Sequence, residues 1–144
     1  GATLANRLGC VIADKIAAIA PVAGGHIGYQ DCEAETPVSV IAFHGTNDSI
    51  IPYQGNDLNP PVRDWVQAWV DRNGCQQDPV VESPHENVEV ETWQECDADA
   101  TVKLYTLKGV GHTWPGSDIS SQEGGQNVDA TDIMWAFFMD HPRE

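Results

Sequence analysis

The chain predicts an α/β fold: a short, mostly parallel sheet carrying an antiparallel hairpin, with helices on its faces. Three observations lead there. Residues 16–22 (IAAIAPV) and 38–44 (VSVIAFH) are nearly continuous apolar runs closed by turn residues, the pattern of strands buried on both faces. Residues 62–72 place Val62, Trp65, Val66, Trp69 and Val70 at i, i+3, i+4, i+7 and i+8, one face of an amphipathic helix. Residues 88–93 (VEVETW) and 102–107 (VKLYTL) alternate apolar with polar, as two half-exposed strands pairing as a hairpin do. A chain of 144 residues suits one domain, 1–144, around one core.

The remaining elements follow in order. Residues 1–14 (GATLANRLGCVIAD) repeat Leu4, Leu8, Val11 and Ile12 at helical spacing, with abundant Ala. Residues 25–37 form a loop holding Cys32, and GTND after the second apolar run is turn chemistry. Residues 53–61 are loop, and Asn73-Gly74 stops the amphipathic helix. Residues 76–86 are polar and contain prolines, so they are expected to be loop. Glu86, Glu89, Glu91 and Glu95 are expected on one solvated face of the hairpin, since they lack a calcium-loop pattern. Residues 129–140 close the chain as a helix, with Asp129 as N-cap, Asp132 three residues on, and Ile133, Phe137 and Phe138 facing inward.

Composition narrows the function classes. With 41% hydrophobic and 20% charged residues, the chain can bury a core. A net charge of -15 disfavours nucleic acid and anionic membrane as partners, and favours neutral or cationic ligands. No run of eighteen apolar residues suggests a membrane span. Four cysteines, Cys10, Cys32, Cys75 and Cys96, lack CxxC or zinc-ligand spacing, so neither a metal nor another cofactor is expected. They read as two disulfides rather than four reduced thiols. The sequential pairing, Cys10–Cys32 and Cys75–Cys96, is expected over the alternatives because it closes the shortest loops. Each bridge stabilises by roughly 3 kcal/mol in the loop-entropy account. Disulfides imply an oxidising compartment, extracellular or periplasmic.

Two stretches carry the chemistry. Residues 43–53 (FHGTNDSIIPY) close one strand and hold Asp48; residues 109–116 (GVGHTWPG) close another and hold His112 between glycines. In open α/β sheets, functional loops lie past the carboxyl ends of strands. An acid and then a histidine, both so placed, follow the order in which a serine-hydrolase triad supplies its last two members. The carboxylate would fix the imidazole tautomer, and the imidazole would move the nucleophile's proton. Trp114 and Pro115 directly follow His112 and are candidate walls of a substrate pocket; the alternative for Trp114 is a core plug beneath the loop. His26, on the loop after the first strand, is a third candidate for substrate contact. His44 reads as structural, and His85 and His141 as surface residues. Trp65 and Trp69 read as core.

These residues also carry a resemblance. FHGTNDSIIPY, the WxxxNGC of residues 69–75, the later Cys96, LYTLKGVGHTWPG and DIMWAFFMDHP occur in that order, and RLGCVIADKIAAIAPVAGG resembles the segment after a nucleophile elbow. Together they resemble the polyhydroxybutyrate depolymerase-like esterases, which include feruloyl and acetylxylan esterases. The resemblance implies the C-terminal part of an N-terminally truncated α/β-hydrolase fold, export, and hydrolysis of an ester or polyester with Asp48 as triad acid and His112 as triad base. It departs at the nucleophile. No G-x-S-x-G occurs in these residues, and aligning Gly1 with the last glycine of the elbow puts the serine three positions before residue 1. Ser39, Ser49, Ser83, Ser117, Ser120 and Ser121 lack the strained strand-to-helix turn that activates a nucleophile. The expected function is therefore a carboxylic ester hydrolase of the Ser-His-Asp type with its usual serine absent. The alternative is a catalytically inactive fragment or a polymer- or carbohydrate-binding remnant using Trp114 and its neighbours. A shortened sheet also predicts an exposed edge through which copies form a homodimer.

Overall fold

The β-branched run after Pro37 becomes a strand buried along its whole length, and the sheet grows around it. In the computed structural model, which describes residues 1–24, 26, 28–119 and 127–143, the elements run α1 (Ala2–Val11), β1 (Ala18–Ile19), β2 (Ser39–Gly45), α2 (Val62–Arg72), β3 (Val80–His85), β4 (Val88–Trp93), β5 (Val102–Leu107) and α3 (Ala130–Asp140). One five-stranded sheet has the order β1-β2-β5-β4-β3. β1, β2 and β5 are parallel; β5, β4 and β3 are antiparallel. The result is a small mixed α/β domain with three α-helices among the described residues.

Two apolar layers sandwich the sheet. On one face Val40, Ala42, Val102 and Leu104 pack against Trp65, Trp69 and Val66 of α2. On the other, Ile41, Phe43, Val90 and Leu107 pack against Phe137 of α3, with Ile133 and Phe138 partly buried beside it. Asp129 caps α3, its side chain accepting from the Thr131 and Asp132 N–H groups at 3.0 and 3.1 Å. Both sequential disulfides are present, Cys10–Cys32 and Cys75–Cys96.

The structure departs from the sequence reading in four places. Residues 80–85 are a strand, not a loop. Every residue of β3 is exposed, so it shows no burial pattern, and it joins the sheet by pairing along β4. The first apolar run yields only Ala18–Ile19 as strand, with a single further bridge from Val22 to Phe43. The glutamates do not share a solvated face: Glu91 is buried and held by a two-pronged ion pair from Arg63, because α2 covers that side of β4. His141 is half-buried, linked to the Phe137 carbonyl at 2.8 Å and the Thr101 hydroxyl at 3.0 Å.

α1 shows why helical spacing alone does not choose the buried face. Leu4, Leu8 and Val11 point outward, and the buried residues are Asn6 and Gly9. Asn6 Oδ1 accepts from the indole N–H of both Trp65 and Trp69, at 2.9 Å each. A Cβ on Gly9 would sit 3.2 Å from Ile19, so glycine permits the close approach. Satisfying two buried indole donors outweighs burying an aliphatic stripe. Asn6→Leu therefore strands both donors and is expected to destabilise the protein by about 2–4 kcal/mol, read from the urea midpoint at unchanged slope. A midpoint within error of wild type would show that the two indoles do not depend on Asn6.

Candidate functional site

β2 and β5 are parallel neighbours, so their carboxyl ends open side by side. The two loops that follow them are stitched together. Thr46 N–H donates to the Leu107 carbonyl at 2.9 Å and Asn47 N–H to the Val110 carbonyl at 3.0 Å; Gly109 N–H donates to the Thr46 hydroxyl at 2.9 Å. Gly45 makes this possible, because a Cβ there would lie 2.0 Å from the Val110 carbonyl oxygen. Backbone cannot yield as a flexible side chain can. Gly45→Ala is expected to cost about 3 kcal/mol and to part the two loops. Lost amide protection at Asn47 and Gly109 would report that parting; wild-type exchange at both would overturn it.

The stitching brings Asp48 and His112 together across 64 residues of sequence. His112 Nδ1 lies 2.8 Å from Asp48 Oδ2. Asp48 is buried, whereas the His112 side chain is 41% exposed. The other carboxylate oxygen, Oδ1, accepts from the Ile50 and Ile51 N–H groups at 2.9 and 2.8 Å. An ionised carboxylate only accepts, so a neutral His112 facing Asp48 would carry its proton on Nδ1. In that tautomer Nε2 keeps its lone pair and can act as a base. The arrangement can take a proton from an attacking hydroxyl and stabilise the imidazolium that forms.

His44 contributes to this site, which its position at a strand end did not reveal. Its Nε2–H donates to the Ile51 carbonyl at 2.8 Å and lies 3.4 Å from Asp48 Oδ2. Burial lowers its pKa below the ordinary histidine range, with the nearby His112 acting in the same direction; the Ile51 carbonyl and Asp48 oppose them. The neutral ring pins the Asp48–Ile51 turn from inside.

The other sequence candidates divide. Trp114 is 47% exposed rather than a core plug, and its indole N–H donates to the Thr131 hydroxyl of α3 at 3.1 Å. Pro115 is buried and its carbonyl accepts from Ala130 N–H at 3.1 Å, which places it at the joint between the His112 loop and α3. His26 is buried face-on against Trp65, ring centroids 3.7 Å apart, a packing position rather than an open one. Burial drives its pKa down to about 3, with His44 adding to the effect. Ser39 is buried in β2 and accepts from Thr101 N–H; Ser49 is exposed beside Asp48, and Ser83 lies on β3. Ser120 and Ser121 fall outside the described residues. A cleft lined by Ser39, His141 and Arg143 opens at the start of β2, the opposite end of the sheet from His112. Among the described residues, no group of three or more His, Cys, Asp or Glu is arranged to hold a metal ion, and no helix is long and apolar enough to cross a membrane.

No family model matches the chain. Comparison with curated proteins finds esterases. The chain is 29% identical over 125 residues to feruloyl esterase B of Piromyces equi, covering 78% of this chain and 23% of that protein. It is 33% identical over 113 residues to a bifunctional acetylxylan esterase/xylanase of Neocallimastix patriciarum, covering 75% of this chain and 16% of that protein. It is 25% identical over 139 residues to a probable feruloyl esterase C of Aspergillus niger, covering 96% of this chain and 46% of that protein. The chain thus spans less than half the length of each of these relatives. Two disulfides are consistent with an extracellular setting.

Proposed function

We propose that these residues carry the acid and base of a Ser-His-Asp centre in a carboxylic ester hydrolase of α/β-hydrolase type. The observation that supports this most directly is the 2.8 Å contact between His112 Nδ1 and a buried Asp48 that is already held by two backbone N–H groups. The reaction is two-step acyl transfer. His112 Nε2 takes the proton of the attacking hydroxyl, returns it to the leaving alcohol, then activates the water that hydrolyses the acyl-enzyme. The nucleophilic serine belongs to a G-x-S-x-G elbow outside these residues. The esterase relatives support ester chemistry, and their names give feruloyl esters and acetylxylan as their substrates; polyester cleavage is the broader reading from the motifs.

The test is hydrolysis of p-nitrophenyl acetate and butyrate by the wild-type chain and by His112→Ala. Turnover that vanishes in the variant supports a working base. Measurable turnover that is equal in the two proteins would sink the assignment of His112, whereas no turnover in either is the result that a serine outside these residues gives. A fluorophosphonate probe, which labels an activated serine, separates the two sources of nucleophile. Labelling of Ser49 or Ser117 would place it within these residues and refute the external elbow.

Self-association belongs to the same reading. β1 is an edge strand, and Leu4, Leu8 and Val11 lie exposed on the adjoining helix. We expect copies to pair there, with Leu4→Glu/Leu8→Glu shifting the mass seen by light scattering from dimer to monomer. A wild-type monomer would refute it.

A further inference from the structure

α3 presents a second aromatic surface that the acid–base pair does not use. On the helical wheel Trp135 lies nearly opposite Phe137, the residue that α3 buries in the core. Trp135 is accordingly 65% exposed, and Met139, one turn on, is 63% exposed. One turn before Trp135 stands Thr131, whose hydroxyl accepts the Trp114 indole N–H. Residues four apart on a helix have Cβ atoms about 6 Å apart. A line of Trp114, Thr131 and Trp135 therefore runs from the residue two beyond His112 onto the outer face of α3.

The chemistry of the strip selects its ligand. Trp114 is held by its own hydrogen bond, so it offers a ring face without first losing rotamer freedom. Asp132, exposed and three residues before Trp135, is a hydrogen-bond acceptor beside that ring. A broad indole face next to a carboxylate suits a ligand with C–H groups on one side and hydroxyl donors at its rim, without negative charge. A pyranose ring of a neutral polysaccharide has that make-up. An anionic surface is repelled by Asp132, and a second copy docked ring to ring would bring two Asp132 carboxylates together.

We propose that Trp135, Asp132 and Trp114 form a binding subsite for a neutral polysaccharide chain, leading from the outer face of α3 to His112. The choice of a xylan-type chain rests on the proposed ester hydrolase function; the stacking chemistry does not. The subsite holds the polymer backbone while an acyl substituent reaches the imidazole.

The probe is xylohexaose, titrated into the chain and followed by the indole N–H signals in a proton–nitrogen NMR spectrum. Saturable shifts of the Trp135 and Trp114 signals are expected at millimolar ligand, with Trp65 and Trp69 unmoved. Trp135→Ala should weaken binding by about tenfold, the loss of one stacking contact. Trp135→Tyr should restore part of it, and Asp132→Asn should weaken it less than Trp135→Ala does. Trp135 is exposed, so these variants are expected to fold, which the dispersion of the remaining signals checks. Absent shifts, or equal affinity in Trp135→Ala, would overturn the proposal. So would wild-type self-association abolished by Trp135→Ala, because the face would then be buried by a second copy. The readout needs no turnover: a chain inert toward esters that still binds keeps this subsite, and an active chain that fails to bind loses only this subsite.

Discussion

Asp48→Asn is expected to invert the His112 imidazole. An asparagine amide group turned toward Nδ1 donates where the carboxylate accepts, so the ring proton moves to Nε2 and the base is lost. The surroundings favour that rotamer. Oδ1 accepts two backbone N–H groups, and an amide oxygen can replace it there, leaving NH2 toward His112. In a complete Ser-His-Asp centre the corresponding change lowers kcat by about 10^4. The tautomer itself can be read in these residues by long-range proton–nitrogen NMR, independently of any nucleophile. A proton on Nδ1 in wild type and on Nε2 in Asp48→Asn is the expected pair of spectra. An unchanged tautomer would mean that Asp48 does not orient His112. Asp48→Ala should differ: with nothing opposite Nδ1, the ring becomes mobile and both tautomers appear.

Mild acid should destabilise the fold through His26. Its folded-state pKa is lowered to about 3, whereas an unfolded chain protonates near the ordinary value of 6.5. The folded pKa is the depressed one, so the sign is fixed. Above pH 6.5 both states are neutral and His26 contributes no pH dependence. Below it the unfolded state takes up a proton that the folded state refuses. Stability then falls by about a factor of ten in the folding equilibrium per pH unit, until pH approaches 3. The cumulative loss from this residue is about 5 kcal/mol, a large share of the stability of a small domain. His44, also depressed by burial, adds in the same direction. His26→Phe keeps a ring against Trp65 and removes the titration. Urea midpoints at pH 7, 5 and 4 should fall steeply in wild type and more gently in the variant. Parallel falls in the two proteins would show that His26 is not the acid-sensitive group.

Much of this protein is legible in its residues, for reasons that can be named. α2 follows the sequence because five apolar residues share one face and Asn73-Gly74 ends it, and that face is buried as the spacing requires. β4 and β5 follow because alternation fixes both the strand and its pairing. Asp48 and His112 stood out because each sits between turn residues just past a strand, a local property of sequence. The two disulfides were also within reach, since sequential pairing closes the shortest loops.

Other features were decided only when distant residues met. Nothing in 76–86 marks a strand; β3 exists because β4 offers it an edge. Helical spacing could not say that α1 turns Asn6 inward, because the two indole donors it satisfies come from 59 and 63 residues away. Glu91 looked like its exposed neighbours until Arg63 of α2 lay over it. Asn73, expected only to stop a helix, also exchanges two hydrogen bonds with the backbone of Val38, a partner 35 residues earlier. His44 joins Asp48 because the turn folds Ile51 back onto its ring. Sequence determines what is periodic or local, because those patterns depend on near neighbours. Which face is buried, which charge is paired and which histidine is silenced depend on long-range contacts, and the tertiary structure alone supplies them.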